Sequence, residues 1–305
     1  MSKPEIVAFP PIPPELRRVL EDSFTLLDAG EHPLPENIRV AVITSMGGAG
    51  SSLMDRLPNL GLIACNGAGL ERIDLKEAAR RNIVVRNTPD EVTDDTADFA
   101  IGLIFATLRR IAQADRFVRS GSWPGGRMPP SRRVQGRRVG IVGLGKIGRK
   151  IADRAAGVGL RVSYTGPREK PGVPYPYAPD IKALASQVDI LVLSCPGGPA
   201  NRHLVDAFVL QALGSDGVLI NVSRGEVVDE AALIAALREG TISAAGLDVF
   251  EHEPEINAAL QAMDQVVLAP HYASVTGETR QGIAATLRDA ILDFMAGRRV
   301  PDAAA

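Results

Sequence analysis

Three ionisable side chains in the second half of the chain could carry acid and anion chemistry: Arg224, Glu253 and His271. Each follows a hydrophobic run of strand length. An arginine fork can hold a carboxylate and a carbonyl oxygen, and histidine can donate a proton near neutral pH. A carboxylate beside that histidine would favour the imidazolium and fix its tautomer. The three residue types therefore suit protonation of an anionic substrate.

A glycine-rich segment, Val139-Gly-Ile-Val-Gly-Leu-Gly-Lys-Ile-Gly148, predicts a dinucleotide site. An apolar strand leads into G-x-G-x-x-G, and an amphipathic helix follows. Gly143 permits the tight turn, Gly145 lets a pyrophosphate approach the backbone, and Gly148 allows close helix packing. Free N–H groups at the helix start would face the phosphates. We expect cofactor contacts along Gly143, Leu144, Gly145, Lys146, Ile147 and Gly148.

The elements around these residues explain how they could meet. Ligands of open parallel sheets bind outside the carboxyl ends of the strands, where all three ionisable side chains are expected. Arg224 would orient a 2-oxo acid beside a nicotinamide, His271 would protonate the forming alkoxide, and Glu253 would support His271. Taken singly, Arg224 and Glu253 are better interpreted as structural turn residues, and His271 could equally be a loop histidine. The other histidines, His32, His203 and His252, are interpreted as structural or surface residues.

Strands alternate with helices along the whole chain, which indicates parallel sheets with helices on both faces. The first part contains strands at 5–9, 40–44, 60–65 and 83–85. A helical pattern that starts at Thr93 follows, with an apolar stripe from Ala97 to Ile111. The central part contains strands at 139–142, 161–164, 190–194, 218–222, 245–247 and 265–269. A last helix near 277–296 returns to the first domain, and residues 301–305 are expected to fray.

The composition is that of a globular protein with enough residues for two domains. The chain has 305 residues, 45% of them hydrophobic, and a formal net charge of −2, so nothing favours nucleic acid or an anionic membrane as a partner. Cys65 and Cys195 lie in apolar runs and are predicted to be buried reduced thiols, with no metal site. No secretory signal or run of roughly 20 apolar residues is visible. We therefore expect a cytoplasmic protein.

Four motifs in order give the chain a resemblance to the D-isomer-specific 2-hydroxyacid dehydrogenases, in the branch of glyoxylate/hydroxypyruvate and hydroxyphenylpyruvate reductases. They are the glycine segment, Leu219-Ile-Asn-Val-Ser-Arg-Gly225, Gly246-Leu-Asp-Val-Phe250 with Glu253-Pro254, and Ala269-Pro-His-Tyr-Ala-Ser274. The resemblance implies an α/β fold with two Rossmann-like, doubly wound parallel-sheet domains. A cofactor domain (98–285) would be inserted within a substrate domain (1–97 plus 286–305). A homodimer formed through the cofactor domain is implied by analogy.

The resemblance also implies further contacts for the two ligands. Arg224 and His271 would touch the substrate, and the backbone N–H groups of Ala68 and Gly69, after the strand at 60–65, would hold its carboxylate. Thr96 matches a position that often touches the cofactor. Additional cofactor contacts are expected at Cys195, Pro196, Val222, Asp248 and Ser274.

The second strand of the cofactor unit favours NADPH over NADH. NAD enzymes usually carry an acidic residue at its end to bind the ribose 2′-hydroxyl. Here the strand ends in Thr165-Gly-Pro-Arg168, which offers a hydroxyl and a cation to a 2′-phosphate. Pro167 departs from related stretches and Glu169 lies close by, so NAD stays an alternative.

The expected reaction is the NADPH-dependent reduction of small 2-oxo acids, chiefly glyoxylate and hydroxypyruvate, to D-2-hydroxy acids. Aryl pyruvates are the near alternative and phosphoglycerate is less favoured. A dehydrogenase that acts on formate or phosphite with similar machinery is a further alternative. A cofactor-sensing, corepressor-like binding protein is the alternative of another class. Candidate pocket walls are Met46, Leu70, Trp123 and Met128.

Overall fold

The computed structural model describes residues 3–30 and 34–303, and His32 lies outside them. The chain divides into two compact units, Met1–Val92 with Val275–Ala305, and Thr93–Ser274. The sequence placed these boundaries at 97/98 and 285/286. They differ because the helices that begin at Thr93 and Gly277 each lie wholly within one unit.

The first unit opens with a five-stranded sheet in which every strand pair is parallel, in the order β2-β1-β3-β4-β5. In the described part of this unit, a helix separates each pair of successive strands except β2 and β3. The elements are β1 (Glu5–Ala8), α1 (Pro14–Ser23), β2 (Thr25–Asp28), β3 (Val40–Thr44), α2 (Ser51–Asp55), β4 (Leu62–Asn66), α3 (Leu75–Arg80) and β5 (Val84–Arg86).

The second unit is a six-stranded parallel sheet in the order β11-β10-β9-β8-β6-β7. Two helices precede the sheet and the others alternate with its strands. The elements are α4 (Thr93–Arg109), α5 (Ile111–Arg119), β6 (Arg138–Val142), α6 (Lys146–Gly157), β7 (Arg161–Thr165), α7 (Ile181–Ala185), β8 (Ile190–Leu193), α8 (Ala207–Leu213), β9 (Val218–Asn221), α9 (Glu230–Glu239), β10 (Ala244–Leu247), α10 (Ala258–Gln261) and β11 (Val266–Leu268).

Successive residues along the strands of the second sheet pack into two separate hydrophobic cores, one on each face. In β8, Ile190 and Val192 pack with α4 and α6, whereas Leu191 and Leu193 pack with α7, α8 and α9. This period of two is what a strand covered on both faces requires. The chain reverses direction across the sheet between β6 and β8, so their carboxyl ends flank the crevice where such sheets bind ligands.

The final helix α11 (Gly277–Met295) completes the first unit, as the sequence predicted. Thr276 caps it by accepting a hydrogen bond from the Thr279 N–H at 3.0 Å. Its buried face packs on α1 and on β1, β3 and β4. The tail does not fray throughout as expected, because the Ala303 N–H donates to the Val85 carbonyl oxygen at 2.7 Å.

The predicted fold class, two doubly wound α/β units, is confirmed, but one strand was not predicted and one helix ends earlier than expected. The sequence analysis missed β2, a four-residue edge strand directly after α1. It also extended the apolar stripe of α4 to Ile111, but Arg110 adopts a left-handed φ of 52° and ends that helix. Ile111 consequently starts α5 with 52% of its surface exposed.

Candidate active site

The glycine loop joins β6 to α6 with the steric requirements that the motif predicts. Gly143 has a φ of 90°, and a Cβ there would lie 2.8 Å from the Cys195 backbone. A Cβ on Gly148 would lie 2.0 Å from the Gly143 carbonyl oxygen, so helix and turn pack in direct contact. Gly145, by contrast, faces open space, with nothing within 4 Å of a built Cβ. No intramolecular contact among the described residues explains that glycine, whereas an approaching pyrophosphate would.

The neighbouring strand β8 braces this loop. The Ser194 hydroxyl donates to the Gly143 carbonyl oxygen at 2.7 Å, and the Gly143 N–H donates to the Thr165 carbonyl oxygen at 2.9 Å. Cys195 follows beneath the loop, and burial raises the pKa of its thiol to about 11. Cys195 is therefore a buried, protonated thiol that packs against the glycine loop. Both cysteines are free and buried, as predicted.

Arg224 lies in a tight turn after β9, and Asn221 organises that turn. The Asn221 side-chain oxygen accepts from the Ser223 N–H at 3.0 Å, and its amide donates to the Arg224 carbonyl oxygen at 2.9 Å. One guanidinium N–H of Arg224 donates to the Ser223 carbonyl oxygen at 2.7 Å. The turn and this contact orient the guanidinium, which suits a planar anion clamp.

Glu253 and His271 are brought together although 18 positions separate them along the chain. His271 Nδ1 lies 2.7 Å from Glu253 Oε2, and Glu253 Oε1 accepts from the Phe250 N–H at 2.9 Å. Burial raises the pKa of Glu253, but the hydrogen bond and charge of His271, the Phe250 N–H and the Arg224 charge outweigh it. The pKa of Glu253 lies below its ordinary value. The carboxylate is thus ionised and held against one ring nitrogen.

Asp248, at the end of β10, fixes the segment that carries His271. Its carboxylate accepts from the Tyr272 N–H at 2.7 Å and from the Ala273 N–H at 3.0 Å. Its carbonyl oxygen accepts from the His271 N–H at 2.7 Å, where the backbone takes a left-handed φ of 53°. Burial raises the pKa of this nearly inaccessible carboxyl, more than the backbone hydrogen bonds and His271 lower it.

The loop after β4 offers two backbone donors in the first unit. Among the described residues, the N–H groups of Ala68 and Gly69 donate to no acceptor. The loop itself is held from outside: the Asn87 amide donates to the Ala68 carbonyl oxygen at 2.7 Å, and the Thr88 hydroxyl accepts from the Gly67 N–H at 3.0 Å. An anion can therefore be bound there by adjacent N–H groups without reordering the loop.

The residues expected to select the cofactor behave differently from each other. The Thr165 hydroxyl is buried and donates its proton to the Ala178 carbonyl oxygen at 2.9 Å, so in this arrangement it does not offer that proton to a phosphate, and its predicted cofactor contact stays a prediction. Arg168 is exposed, and in the part of the chain that the structure describes its side chain has no hydrogen-bond or ion-pair partner. Of the two, only the arginine can offer its donors to a ligand.

The other predicted cofactor contacts lie on the same unit. Thr96 is buried in the first turn of α4, and Val222 is buried directly after β9. Ser274 is half-buried at the end of the unit, and the Pro196 carbonyl oxygen accepts from the Asn201 amide at 2.9 Å. None of these positions has a geometry that by itself identifies a ligand.

Two classes of feature are absent from the described ranges. No group of three or more His, Cys, Asp or Glu residues could hold a metal ion. In the same ranges, no helix is long and apolar enough to cross a membrane.

The fold and the site define a dinucleotide-dependent enzyme, and the comparisons identify its family. The family model described as "D-isomer specific 2-hydroxyacid dehydrogenase, NAD binding domain" matches residues 101–273. The chain belongs to the D-isomer-specific 2-hydroxyacid dehydrogenase family. It is an oxidoreductase that uses a nicotinamide cofactor and acts on small 2-hydroxy or 2-oxo acids.

Named relatives support this assignment along almost the entire chain. A 2-ketogluconate reductase of Gluconobacter oxydans is 44% identical over 96% of both chains. A glyoxylate/hydroxypyruvate reductase of Arabidopsis thaliana is 46% identical over 81% of this chain and 79% of its own. The solved structure of an NADPH-dependent glyoxylate/hydroxypyruvate reductase from Sinorhizobium meliloti, in complex with NADP and malonate, has a TM-score of 0.93 and 37% identity, covering 99% and 98% of the chains. The alternative of a cofactor-sensing binding protein is not favoured.

Sequence reasoning missed the residues that hold the site in place. Asn221, Ser194 and Asn87 each orient a loop that carries a predicted site residue. A signal was present in the sequence, because all three are polar residues at the ends of hydrophobic strand runs. Such a residue is either a ligand contact or a loop organiser, and only the hydrogen-bond partners distinguish the two roles.

Proposed function

We propose that this chain is an NADPH-preferring reductase of small 2-oxo acids that produces D-2-hydroxy acids, with glyoxylate and hydroxypyruvate as leading substrates. The observation that carries the proposal is the contact of His271 with the ionised Glu253 in the unit that bears the glycine loop. A bound nicotinamide would supply the hydride to carbon 2 of the substrate. The remaining work belongs to the side chains of this chain.

Arg224 is assigned to orientation of the substrate. Its planar fork can contact the carboxylate and the carbonyl oxygen together, and it carries positive charge at every relevant pH. The Ser223 carbonyl contact fixes the guanidinium before substrate binds, which lowers the entropy cost of orientation. As negative charge grows on the carbonyl oxygen, the same cation stabilises it.

His271 is assigned as the proton donor in reduction. Glu253 occupies Nδ1, so Nε2 is the nitrogen that remains to transfer a proton. The negative charge of Glu253 stabilises the imidazolium and keeps the ring oriented. Reduction therefore consumes the proton of the charged ring, and oxidation of the 2-hydroxy acid returns it.

The Ala68 and Gly69 N–H groups are assigned to the substrate carboxylate. Two observations support this assignment. Neither N–H group has an acceptor among the described residues, and hydrogen bonds with the Asn87 and Thr88 side chains hold the loop in place. Backbone donors recognise the carboxylate that all 2-oxo acids share. They do not select among the groups attached to carbon 2 or carbon 3.

Arg168 is assigned to the 2′-phosphate of NADPH. Its exposed guanidinium follows β7, where NAD enzymes place a carboxylate. In an Arg168→Gln variant, KM for NADPH should rise about tenfold or more, because one charge-assisted hydrogen bond is lost. KM for NADH should stay unchanged. An equal effect on both cofactors would contradict the assignment, and Arg161→Gln, at the far end of the same strand, is the matched control.

The substrate assignment is tested by the loss of reduced-nicotinamide absorbance with a panel of 2-oxo acids. Glyoxylate, hydroxypyruvate, 4-hydroxyphenylpyruvate and 2-ketogluconate are compared at saturating NADPH. The highest kcat/KM with the first two would support the proposal. Preference for 2-ketogluconate would move the assignment toward the activity of the Gluconobacter oxydans relative, which matches 96% of this chain.

A homodimer formed through the second unit is part of the proposal, as is a cytoplasmic location. Several large apolar side chains lie exposed on this unit, and three of them are close in sequence: Ile111 at 52%, Val118 at 54% and Trp123 at 63%. Apolar surface of this kind favours burial against a partner. Light scattering after size exclusion should give twice the chain mass for the wild type and a lower mass for Val118→Asp. A monomeric wild type would contradict the dimer.

A further inference from the structure

His203 and Glu251 form an ion pair that has no place in the catalytic assignments above. His203 lies between β8 and α8, and Glu251 follows β10, two residues before Glu253. His203 Nε2 lies 2.9 Å from Glu251 Oε1, which also accepts from the Arg202 guanidinium at 2.8 Å. The Glu251 side chain is only 12% exposed. Burial raises its pKa, but the hydrogen bond and charge of His203, together with the charges of Arg202 and His252, outweigh burial and lower the pKa below its ordinary value.

His203 also forms a hydrogen bond with the connection after β9, which carries Arg224. The backbone of His203 takes a left-handed φ of 52°, and its N–H donates to the Glu226 carbonyl oxygen at 2.8 Å. Glu226 Oε1 accepts from the Gly198 N–H at 2.6 Å. The connections after β8, β9 and β10 are therefore joined by hydrogen bonds around His203 and Glu251.

Close backbone packing joins these connections to the two segments that carry Arg224 and Glu253. A Cβ on Gly225, the residue after Arg224, would lie 1.9 Å from the Phe250 carbonyl carbon. The two chain segments thus touch without an intervening side chain. Phe250 also donates its N–H to Glu253 Oε1 at 2.9 Å. A shift of Glu251 would displace the Phe250 segment, and with it the contact between Glu253 and His271.

We infer that His203 and Glu251 are positioning residues that hold the Glu253 connection in register with the Arg224 turn and with the connection that begins at Cys195. The inference rests on the proposed function, since it concerns the efficiency of the same reaction. A half-buried side-chain contact is suited to this role, because it links the connection after β8 directly to the connection after β10 and so restricts both loops. Neither residue touches the reacting atoms.

The test compares His203→Ala, His203→Gln and the control His252→Ala in the full-length protein. His252 is exposed and adjacent to Glu251, and its charge also acts on the pKa of Glu251. Its imidazole forms no hydrogen bond in the described part of the chain, and only its backbone carbonyl oxygen accepts one, from the Glu255 N–H at 2.9 Å. We expect His203→Ala to lower kcat about tenfold, the scale of a small misplacement of catalytic groups. His203→Gln should recover most of kcat because its Nε2 can donate to Glu251, and His252→Ala should match the wild type.

The concentration of folded protein is set by circular dichroism and by titration with NADPH, so that a simple loss of folded molecules does not count as an effect on kcat. A double-mutant cycle with Glu251→Ala should show that the second substitution adds less than twofold to the first. Unchanged kcat in His203→Ala, or equal loss in His203→Gln, would overturn the inference. A wild type without activity on any 2-oxo acid would instead reject the proposed function.

Discussion

His271 Nδ1 and Glu253 Oε2 lie 2.7 Å apart, although their segments follow two different strands of the second sheet. The side chain of His271 is 35% exposed, whereas that of Glu253 is 14% exposed. The histidine is therefore the more exposed member of the pair, and the carboxylate stays inside. This relationship gives the ring one fixed orientation and leaves Nε2 for chemistry.

Glu253→Gln should lower kcat for reduction about 100-fold at neutral pH, within the range of general acid catalysis. The amide can still accept from Nδ1, but it lacks the charge that stabilises the imidazolium. Affinity for NADPH, measured by fluorescence titration, should stay within twofold of the wild type. The control is Glu255→Gln, a substitution at an exposed position two residues further on. A Glu253→Gln kcat equal to that of the control would refute the role of Glu253 in stabilising the His271 imidazolium.

The depressed pKa of Glu253 makes its contribution to stability depend on pH. A carboxylate with a lowered folded-state pKa stabilises the fold above its unfolded pKa, about 4.3, and this contribution is lost as pH falls through the folded value. The difference in free energy of unfolding between wild type and Glu253→Gln should therefore be largest near pH 6 and shrink below pH 4. Urea unfolding at pH 6, 5, 4 and 3.5 measures it. A difference that stays constant across this series would contradict the ionised pair.

Gly145 and Gly148 should respond oppositely to substitution by alanine. Gly145→Ala should leave the Tm within a few degrees of the wild type and raise KM for NADPH, because a Cβ there meets nothing until a ligand approaches. Gly148→Ala should lower the Tm, because its Cβ would meet the Gly143 carbonyl oxygen at 2.0 Å. Thermal unfolding and cofactor titration of both variants separate the two effects. Normal NADPH affinity in Gly145→Ala would show that the loop does not bind the pyrophosphate.

Asp248→Asn should destabilise the fold by about 1–3 kcal/mol and lower kcat. The two carboxylate oxygens accept from Tyr272 and Ala273, and an amide can satisfy only one of these N–H groups. The segment that carries His271 should loosen as a result. Urea unfolding and steady-state kinetics measure the change, with exposed Asp22→Asn as control. Wild-type values in both assays would mean that the segment is held by other contacts.

Cys195 should resist alkylation in the folded protein. Only the thiolate reacts with iodoacetamide, and burial raises the pKa of Cys195 to about 11. At pH 8 the native enzyme should keep its activity and its mass during hours of treatment, whereas the urea-unfolded chain should gain two adducts, one for each cysteine. Rapid labelling at Cys195 in the native state would require a more open crevice beneath the glycine loop.

The sequence was sufficient for the fold class and for the proposed catalytic set because both depend on local patterns. Alternating apolar runs define strands, and residues directly after parallel strands share one sheet edge, which predicted the meeting of Glu253 with His271. Thr165 shows the limit of this reasoning. From the sequence, a hydroxyl directly after a strand is a candidate ligand contact. In the fold, a loop 13 residues further along the chain places the Ala178 carbonyl oxygen beside it as a hydrogen-bond acceptor.

The elements that the sequence could not predict depend on distant partners. The edge strand β2 has little hydrophobic alternation, and its pairing with β1 comes from tertiary packing. The break at Arg110 carries neither glycine nor proline, so nothing local predicts its left-handed backbone. Likewise, the sequence predicted only that His203 is a structural or surface residue, because its partner Glu251 is 48 positions away.

The most direct test of the account is single-turnover reduction of glyoxylate by His271→Ala with bound NADPH. The account predicts that NADPH binds with a Kd within twofold of the wild type, while the rate of nicotinamide oxidation falls by about 10²–10⁴ because no side chain protonates the alkoxide. A rate close to that of the wild type, measured in a variant that binds NADPH normally, would contradict His271 as the proton donor.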